Sequence, residues 1–330
     1  MGLTKPRLVY FPFEYPQAYE YWLLQQQVHW LHTEISMARD IVDWNTNLSE
    51  EERRVIGGVL KSFTQIEIVV GNDYWLGKVH NWFRKPEIQM MAAAFANMET
   101  IHTKSYAYLN ESLGLNDFAA FLQDPVGKAK IDYLIETDGK TLRDKAKSLA
   151  IFSGFAEGIQ LFSSFAILLN YSRHNKMKGV GEIVTFSVRD ESLHSKAGCW
   201  LFRQLISEHP EIWDDDLKRD IFQAARDTVK LEIDFIDSVF IDRKPILGLD
   251  PEDLKAFIKY RANTKLQDLG LKSNWTNLDK EAVARLNWFD YMTAGEAHQD
   301  FFAGRVADYS KGVVDWNEDS VFGGLDDQGR

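Results

Sequence analysis

The sequence is poor in residues that staple, break or kink a chain. It has a single cysteine, Cys199, among 330 residues. An internal disulfide and a redox dithiol pair are therefore excluded, and such usage fits a reducing, cytoplasmic compartment. Proline (8) and glycine (21) are sparse, which leaves room for long uninterrupted elements. Strand signals are few, with little sustained alternation and no Asn-Gly hairpin turn. Basic charge is outweighed: 38 Lys and Arg stand against 49 Asp and Glu, a net charge of −11. No basic stripe with interleaved aromatics occurs, so nucleic acid is not an expected partner, because polyanion binding needs Lys and Arg to displace counterions. Met1 to Tyr10 lacks the apolar core of a signal peptide. No run approaches the roughly 18 apolar residues of a membrane span. The richest stretch, Leu149 to Leu169, is interrupted by Ser153, Glu157, Gln160, Ser163 and Ser164.

What is present is apolar and aromatic. Hydrophobic residues make up 45% of the chain, with 21 Phe, 12 Tyr and 10 Trp, enough for a substantial core. Helix signals dominate. Ser49 followed by Glu50, Glu51 and Glu52 forms a capping box, opening a helix through Val59, Phe63, Ile66 and Val70. Pro86-Glu87 suits a first helical turn, and Gly114 suits the end of that helix. Residues 116–139 read as shorter pieces, with a turn at Asp138-Gly139. A third long helix is expected over Leu142 to Tyr171. Gly179 and Gly181 read as punctuation before a fourth, Glu182 to Glu208, which His209-Pro210 ends. Further helices are expected over Asp214 to Phe240, Pro251 to Leu269 and Asp279 to Tyr291. The expected organisation is one all-α domain over 1–311, followed by a flexible acidic tail over 312–330.

Chemistry concentrates in two short motifs, Glu99-x-x-His102 and Glu191-x-x-His194. Residues three apart on a helix share a face, so each motif aims a carboxylate and an imidazole at one spot. That donor set suits iron or manganese better than a thiolate-seeking metal. Bundles that hold two such metals take one Glu from each of two helices and Glu-x-x-His from each of two more. Glu67 and Glu157 stand inside apolar runs on the other two long helices. A buried unpaired carboxylate is costly unless a cation offsets it, and these two complete the set. Glu232, Asp234 and Asp237 form another acidic group without a histidine partner and read as a solvated face. Of the other histidines, His29, His32, His80, His174, His209 and His298, none has an acid three residues earlier.

With these residues in place, the chain resembles the small, radical-generating subunit of class I ribonucleotide reductase, from about Tyr15 to Tyr309. The resemblance rests on Met98 to Tyr106, on Ser187 to His194, on His29-Trp30 ahead of Glu34 and Asp40, and on Phe63-Thr64-Gln65 before Glu67. It implies a ferritin-like bundle with extra flanking helices, in which Glu67, Glu99 and His102 hold one metal and Glu157, Glu191 and His194 the other, with Glu99 and Glu191 bridging. It implies that Tyr106, on the stripe of His102 and Glu99, is oxidised to a stable radical after the reduced metals react with dioxygen. Asp190 is implied to accept a hydrogen bond from His102, with Trp30 as its next partner, forming a relay to the surface. Many family members carry Asp in place of Glu67, and glutamate occurs in members with altered metal usage. Two iron ions are thus the first expectation, with Mn/Fe and Mn/Mn open. A homodimer is implied, and docking of the tail on a large catalytic subunit, with Tyr309 or Trp316 relaying the radical and Phe322 as an apolar anchor. The competing readings are a related oxygenase using the same metals on an organic substrate, and an iron store.

Overall fold

The computed structural model describes residues 2–117, 125–135 and 139–293. Among the described residues the fold is carried by the main helices α1 (Pro16–Gln27), α2 (Glu50–Val69), α3 (Pro86–Ser112), α4 (Pro125–Ile135), α5 (Leu142–Arg173), α6 (Lys178–Glu208), α7 (Asp215–Val239), α8 (Pro251–Asp268) and α9 (Lys280–Ala284). No strand occurs among the described residues; Ile246 and Leu249 form an isolated bridge. Helix ends are set locally, by caps and turns. Ser49 and Glu52 exchange side-chain to backbone bonds at 2.8 and 3.2 Å, and Gly114 ends α3 with φ of +74°.

Helices α2, α3, α5 and α6 form the bundle that carries the candidate ligands. The first of these, α2, packs on α3, α6 packs on α5, and α1 lies across α3 and α6. Behind them, α7 and α8 back the middle of α5. That middle is not α-helical: Ala150–Gln160 is a π-helix, and so is the continuation of α2 over Val70–Val79. Wide π turns are rare and are frequently found at functional sites. Helix α5 is long and apolar enough to cross a membrane, but its apolar window is entirely buried inside the protein. It is the central core helix of the bundle.

Three expectations are corrected. Gly179 and Gly181 do not precede α6 but lie within it, because α6 starts at Lys178. Its first amides are capped by a residue distant in sequence: Asp40 accepts from the N–H groups of Gly179 and Val180, both at 2.9 Å. A Cβ on Gly179 would stand 2.9 Å from the Ser36 carbonyl, so glycine serves close packing there. Glu232 is not solvated but fully buried, paired with Lys130 at 2.5 Å. The last expected helix is interrupted at Arg285 and Leu286. Asp138, His298, Tyr309, Trp316, Phe322, the expected boundary at 311 and the tail over 312–330 lie outside the described residues.

Candidate metal centre

The structure brings the six candidate ligands into two overlapping groups. Glu67, Glu99, His102 and Glu191 have donor atoms within 4.8 Å of one another, as do Glu99, Glu157, Glu191 and His194. Glu99 and Glu191 belong to both, so either could serve two ion positions. All six side chains are buried. The helices approach closely at this point, where a Cβ on Gly71 of the π-helical continuation of α2 would stand 2.9 Å from Glu99 Cβ.

Inside the cluster, donor atoms converge without satisfying one another. His194 Nδ1 lies 2.8 Å from Glu99 Oε1, and His102 Nδ1 lies 3.1 Å from Glu191 Oε1. Yet Glu99 Oε1, Glu191 Oε1 and His194 Nδ1 are not aligned for hydrogen bonds, and no donor reaches either oxygen of Glu67 or Glu157 Oε2. Buried polar atoms are ordinarily paired, so orphaned lone pairs aimed at shared points fit divalent cations between them. The electrostatics agree. Burial, then the charges of Glu191 and Glu99, push Glu67 and Glu157 well above the usual carboxylate range. Burial and Glu99 likewise raise Glu191. Burial would raise Glu99 too, but His102 and His194 more than offset it and hold it low. This is what carboxylates do when crowded without their counter-charge.

The outer nitrogens of both histidines are held by a chain of hydrogen bonds. His102 Nε2 lies 3.2 Å from Asp190 Oδ2, which also accepts from Trp30 Nε1 at 2.8 Å. Gln25 Nε2 donates to Asp190 Oδ1 at 3.2 Å, and Gln25 Oε1 faces His194 Nε2 at 3.0 Å. An ionised Asp190 can only accept, and burial is outweighed by His102 in keeping it ionised. Gln25 must therefore turn its amide nitrogen to Asp190 and its oxygen to His194. His194 then carries its proton on Nε2, leaving the Nδ1 lone pair for the cluster. Outer partners of this kind fix tautomer and ring orientation in metal sites.

Tyr106 is fully buried beside this assembly, its ring centroid 6.2 Å from that of His102 and 4.6 Å from that of Phe63. Burial and then the charge of Glu67 raise its phenol well above the ordinary range. Trp75 Nε1 donates to Glu157 Oε1 at 2.6 Å. A cleft of about 260 Å³ between α2 and α3, lined by Glu67, Gly71, Asn72, Glu99 and Thr103 among others, reaches the Glu67 side of the cluster.

Sequence reasoning placed all nine candidate residues near one another but missed Gln25 and Trp75. Gln25 continues the buried stripe Ala18, Tyr21, Gln25 of α1, and an amide on such a stripe was a usable signal. Trp75 follows Glu67 by eight residues, on a regular α-helix roughly 80° around from it, and the π turns between them remove that guide.

A family model described as ribonucleotide reductase, small chain, matches residues 7–281. The protein named Probable ribonucleoside-diphosphate reductase small subunit 376L, of Invertebrate iridescent virus 6, is 34% identical, with 94% of this chain and 96% of that protein covered. The ribonucleoside-diphosphate reductase subunit beta of Chlamydia pneumoniae is 30% identical, covering 92% of this chain and 91% of the relative. Among solved structures, the ribonucleotide reductase R2 subunit from Clostridium botulinum superposes with a TM-score of 0.77 at 21% identity, covering 85% of this chain and 89% of that one. The dimanganese(II)-NrdF of Streptococcus sanguinis gives 0.74 at 22% identity, covering 86% and 98%.

Proposed function

The chain belongs to the ribonucleotide reductase small-chain family, and we propose that its buried cluster holds two divalent metal ions that arm Tyr106 as a stored one-electron oxidant. As a small subunit it works with a large subunit, and the reaction served is reduction of ribonucleoside diphosphates. The observation that carries the metal reading is the pair of donor groups sharing Glu99 and Glu191, with orphaned lone pairs on buried side chains. Glu67, Glu99 and His102 would hold one ion, and Glu157, Glu191 and His194 the other. When bound and reduced, such a pair supplies oxidising equivalents by reacting with dioxygen.

The chain's own residues do the remaining work. Burial against Phe63 keeps water and reductants from Tyr106, so an oxidised phenol there has a long life. Trp30, Asp190 and His102 form a continuous hydrogen-bonded line out of the cluster, suited to carrying an electron with a compensating proton shift. Cys199, the single thiol, is buried and pushed up to about 12 by that burial, so it is no nucleophile. Thiol chemistry on the nucleotide then falls to the large subunit. We assign docking on that subunit to the tail over 312–330, with Tyr309 or Trp316 continuing the relay and Phe322 as anchor, and place the working form as a cytoplasmic homodimer. Two iron ions are the first assignment. Mn/Fe or Mn/Mn remain alternatives because Glu67 is a glutamate and a structural relative is described as dimanganese.

The test is reconstitution of metal-free protein with ferrous iron, or with manganese and iron, followed by exposure to air. Metal analysis should give two ions per chain, and electron paramagnetic resonance (EPR) should show a tyrosyl signal that is absent in Tyr106→Phe. A fully metallated protein that forms neither a radical nor another one-electron oxidant sinks this reading.

A further inference from the structure

Helix α5 changes register beside its candidate ligand. It is π-helical over Ala150–Gln160 and α-helical again over Phe162–Arg173. Passing from an i→i+5 to an i→i+4 pattern leaves a carbonyl over, and a carbonyl buried here must find a donor elsewhere. Two cations reach this end of the π-helix from other elements. Arg261 of α8 donates Nε to the Gly158 carbonyl at 3.2 Å, and Lys130 of α4 donates Nζ to the Gln160 carbonyl at 2.8 Å.

Both cations are built in. The Arg261 guanidinium carbon sits 3.3 Å from the Phe162 ring centroid. Lys130 is buried, paired with Glu232 at 2.5 Å and placed 4.7 Å over the Phe235 ring. The second oxygen of Glu232 accepts from Ser163 Oγ at 2.5 Å. Helix α8 and its C-terminal cap follow the π stretch with a stripe of residues four apart, Arg261, Lys265 and the cap residue Leu269. A Cβ on Gly158 would stand 2.7 Å from Lys265 Cδ, and one on Gly154 would stand 3.2 Å from Leu269 Cδ1. The two surfaces are fitted to each other.

Glu157 lies one residue before Gly158 and three before Gln160, within the turn that these cations hold. At the carboxylate itself Trp75 bonds one oxygen, and Glu157 Oε2 has no donor. Its place therefore depends on the backbone behind it. We propose that Arg261 and Lys130 are positioning residues: they anchor the carbonyls at the end of the π-helix and so set the metal affinity of the site that Glu157 forms with His194. The proposal rests on the two-metal reading above. It also explains why a buried acid, Glu232, is kept where no metal is expected: it neutralises the ammonium that does the anchoring.

The test uses full-length, metal-free protein titrated with Mn(II) and followed by EPR and equilibrium dialysis. Arg261→Met keeps an apolar stem against Phe162 but removes the donor. The pair Lys130→Met with Glu232→Gln removes the second anchor without stranding a charge. Each is expected to weaken one of the two ions about 10–100-fold, as losses of outer-shell support do, while the other stays within about twofold of wild type. The ion retained should give the isolated Mn(II) signal seen in His194→Ala rather than that seen in His102→Ala. Arg261→Lys, which keeps a donor, should recover most of the loss, and the Lys130→Met with Glu232→Gln pair carries the site-selective test if Arg261→Met does not fold. Equal weakening of both ions, or weakening of neither, overturns the proposal. A wild type that takes up fewer than two ions sinks the metal reading itself, a separate and recognisable failure.

Discussion

Gln25 is the residue whose loss should speak most plainly about how the cluster is organised. Replacement by leucine keeps an apolar side chain of similar bulk, although it branches one carbon earlier, so the perturbation is mainly polar. The bonds lost are unequal in consequence. Asp190 keeps Trp30 at 2.8 Å and His102 at 3.2 Å on its other oxygen. His194 Nε2 loses the one hydrogen-bond partner it shows, Gln25 Oε1 at 3.0 Å. A buried donor left unpaired costs about 1–3 kcal/mol, which sets the expected loss of stability in the metal-free protein. Metal binding suffers for a second reason: without Gln25, nothing dictates that the His194 proton sits on Nε2 and the lone pair on Nδ1. Losses of such partners lower metal affinity roughly 10–100-fold. The effect should fall on the ion at His194 and spare the one at His102. Mn(II) titration followed by EPR, beside a thermal melt of the metal-free protein, measures both. If Gln25→Leu binds two ions with wild-type affinities, the argument from Asp190 through Gln25 to the His194 tautomer is wrong.

Three further outcomes are expected. Gly71→Ala would force a methyl to within 2.9 Å of Glu99 Cβ; overpacking of this kind costs about 1–3 kcal/mol, and a denaturant titration should show it together with weaker binding of both ions, since Glu99 serves both. Asp40→Ala strips the cap from the Gly179 and Val180 amides and should cost about 1–2 kcal/mol, read as a lower urea midpoint with the metal stoichiometry unchanged. Metal-free protein should lose thermal stability as pH rises above 5: Glu67, Glu157 and Glu191 have raised folded-state values, and so does His102, held protonated by Asp190, Glu191 and Glu99 against the effect of burial. Groups with raised values bind more protons folded than unfolded, so their contribution is full at low pH and disappears as pH climbs through the folded values. Melting curves in chelator at several pH values test this, and a midpoint that rises steadily from pH 5 to 8 would contradict it.

The parts of the site that follow helical periodicity were legible in the sequence, and the parts that depend on contacts between distant segments were not. Glu99 with His102, and Glu191 with His194, share faces because three residues make nearly one turn, and the structure places all four together. Asp190 sits one position from Glu191, about 100° around the helix, and it faces outward from the cluster toward Trp30. Gln25 gains its meaning only from Asp190 and His194, more than 160 residues later. Glu232 was misjudged for the same reason. Whether an acid on a helix is solvated or buried depends on its partner, and Lys130 comes from a helix far earlier in the chain. Gly179 and Gly181 looked like breaks because glycine is a poor helix former. Their helix starts earlier because Asp40 caps it and because close neighbours demand a residue without a side chain. The π turns over Val70–Val79 and Ala150–Gln160 were not legible, since the apolar pattern along those stretches reads equally well as ordinary α-helix.

Charge balance explains why a fold would accept so much acid at its centre. Glu67, Glu99, Glu157 and Glu191 bring four negative charges into a region with no water-exposed side chain among the ligands. Two divalent cations with two neutral imidazoles would bring the sum to zero. Without them, protons must serve, which is why burial and mutual repulsion raise Glu67, Glu157 and Glu191 together. Asp190 stands outside that sum and carries its own compensation, with Arg189 Nε 3.5 Å from Oδ1. The same logic applies one layer further out, where Glu232 and Lys130 cancel. Each layer is neutral by itself, so substituting one charge exposes a partner within that layer rather than across the whole core. Loss of Glu99 or Glu191, which both donor groups share, should therefore release both ions in a metal analysis, whereas loss of Glu67 or Glu157 should release one.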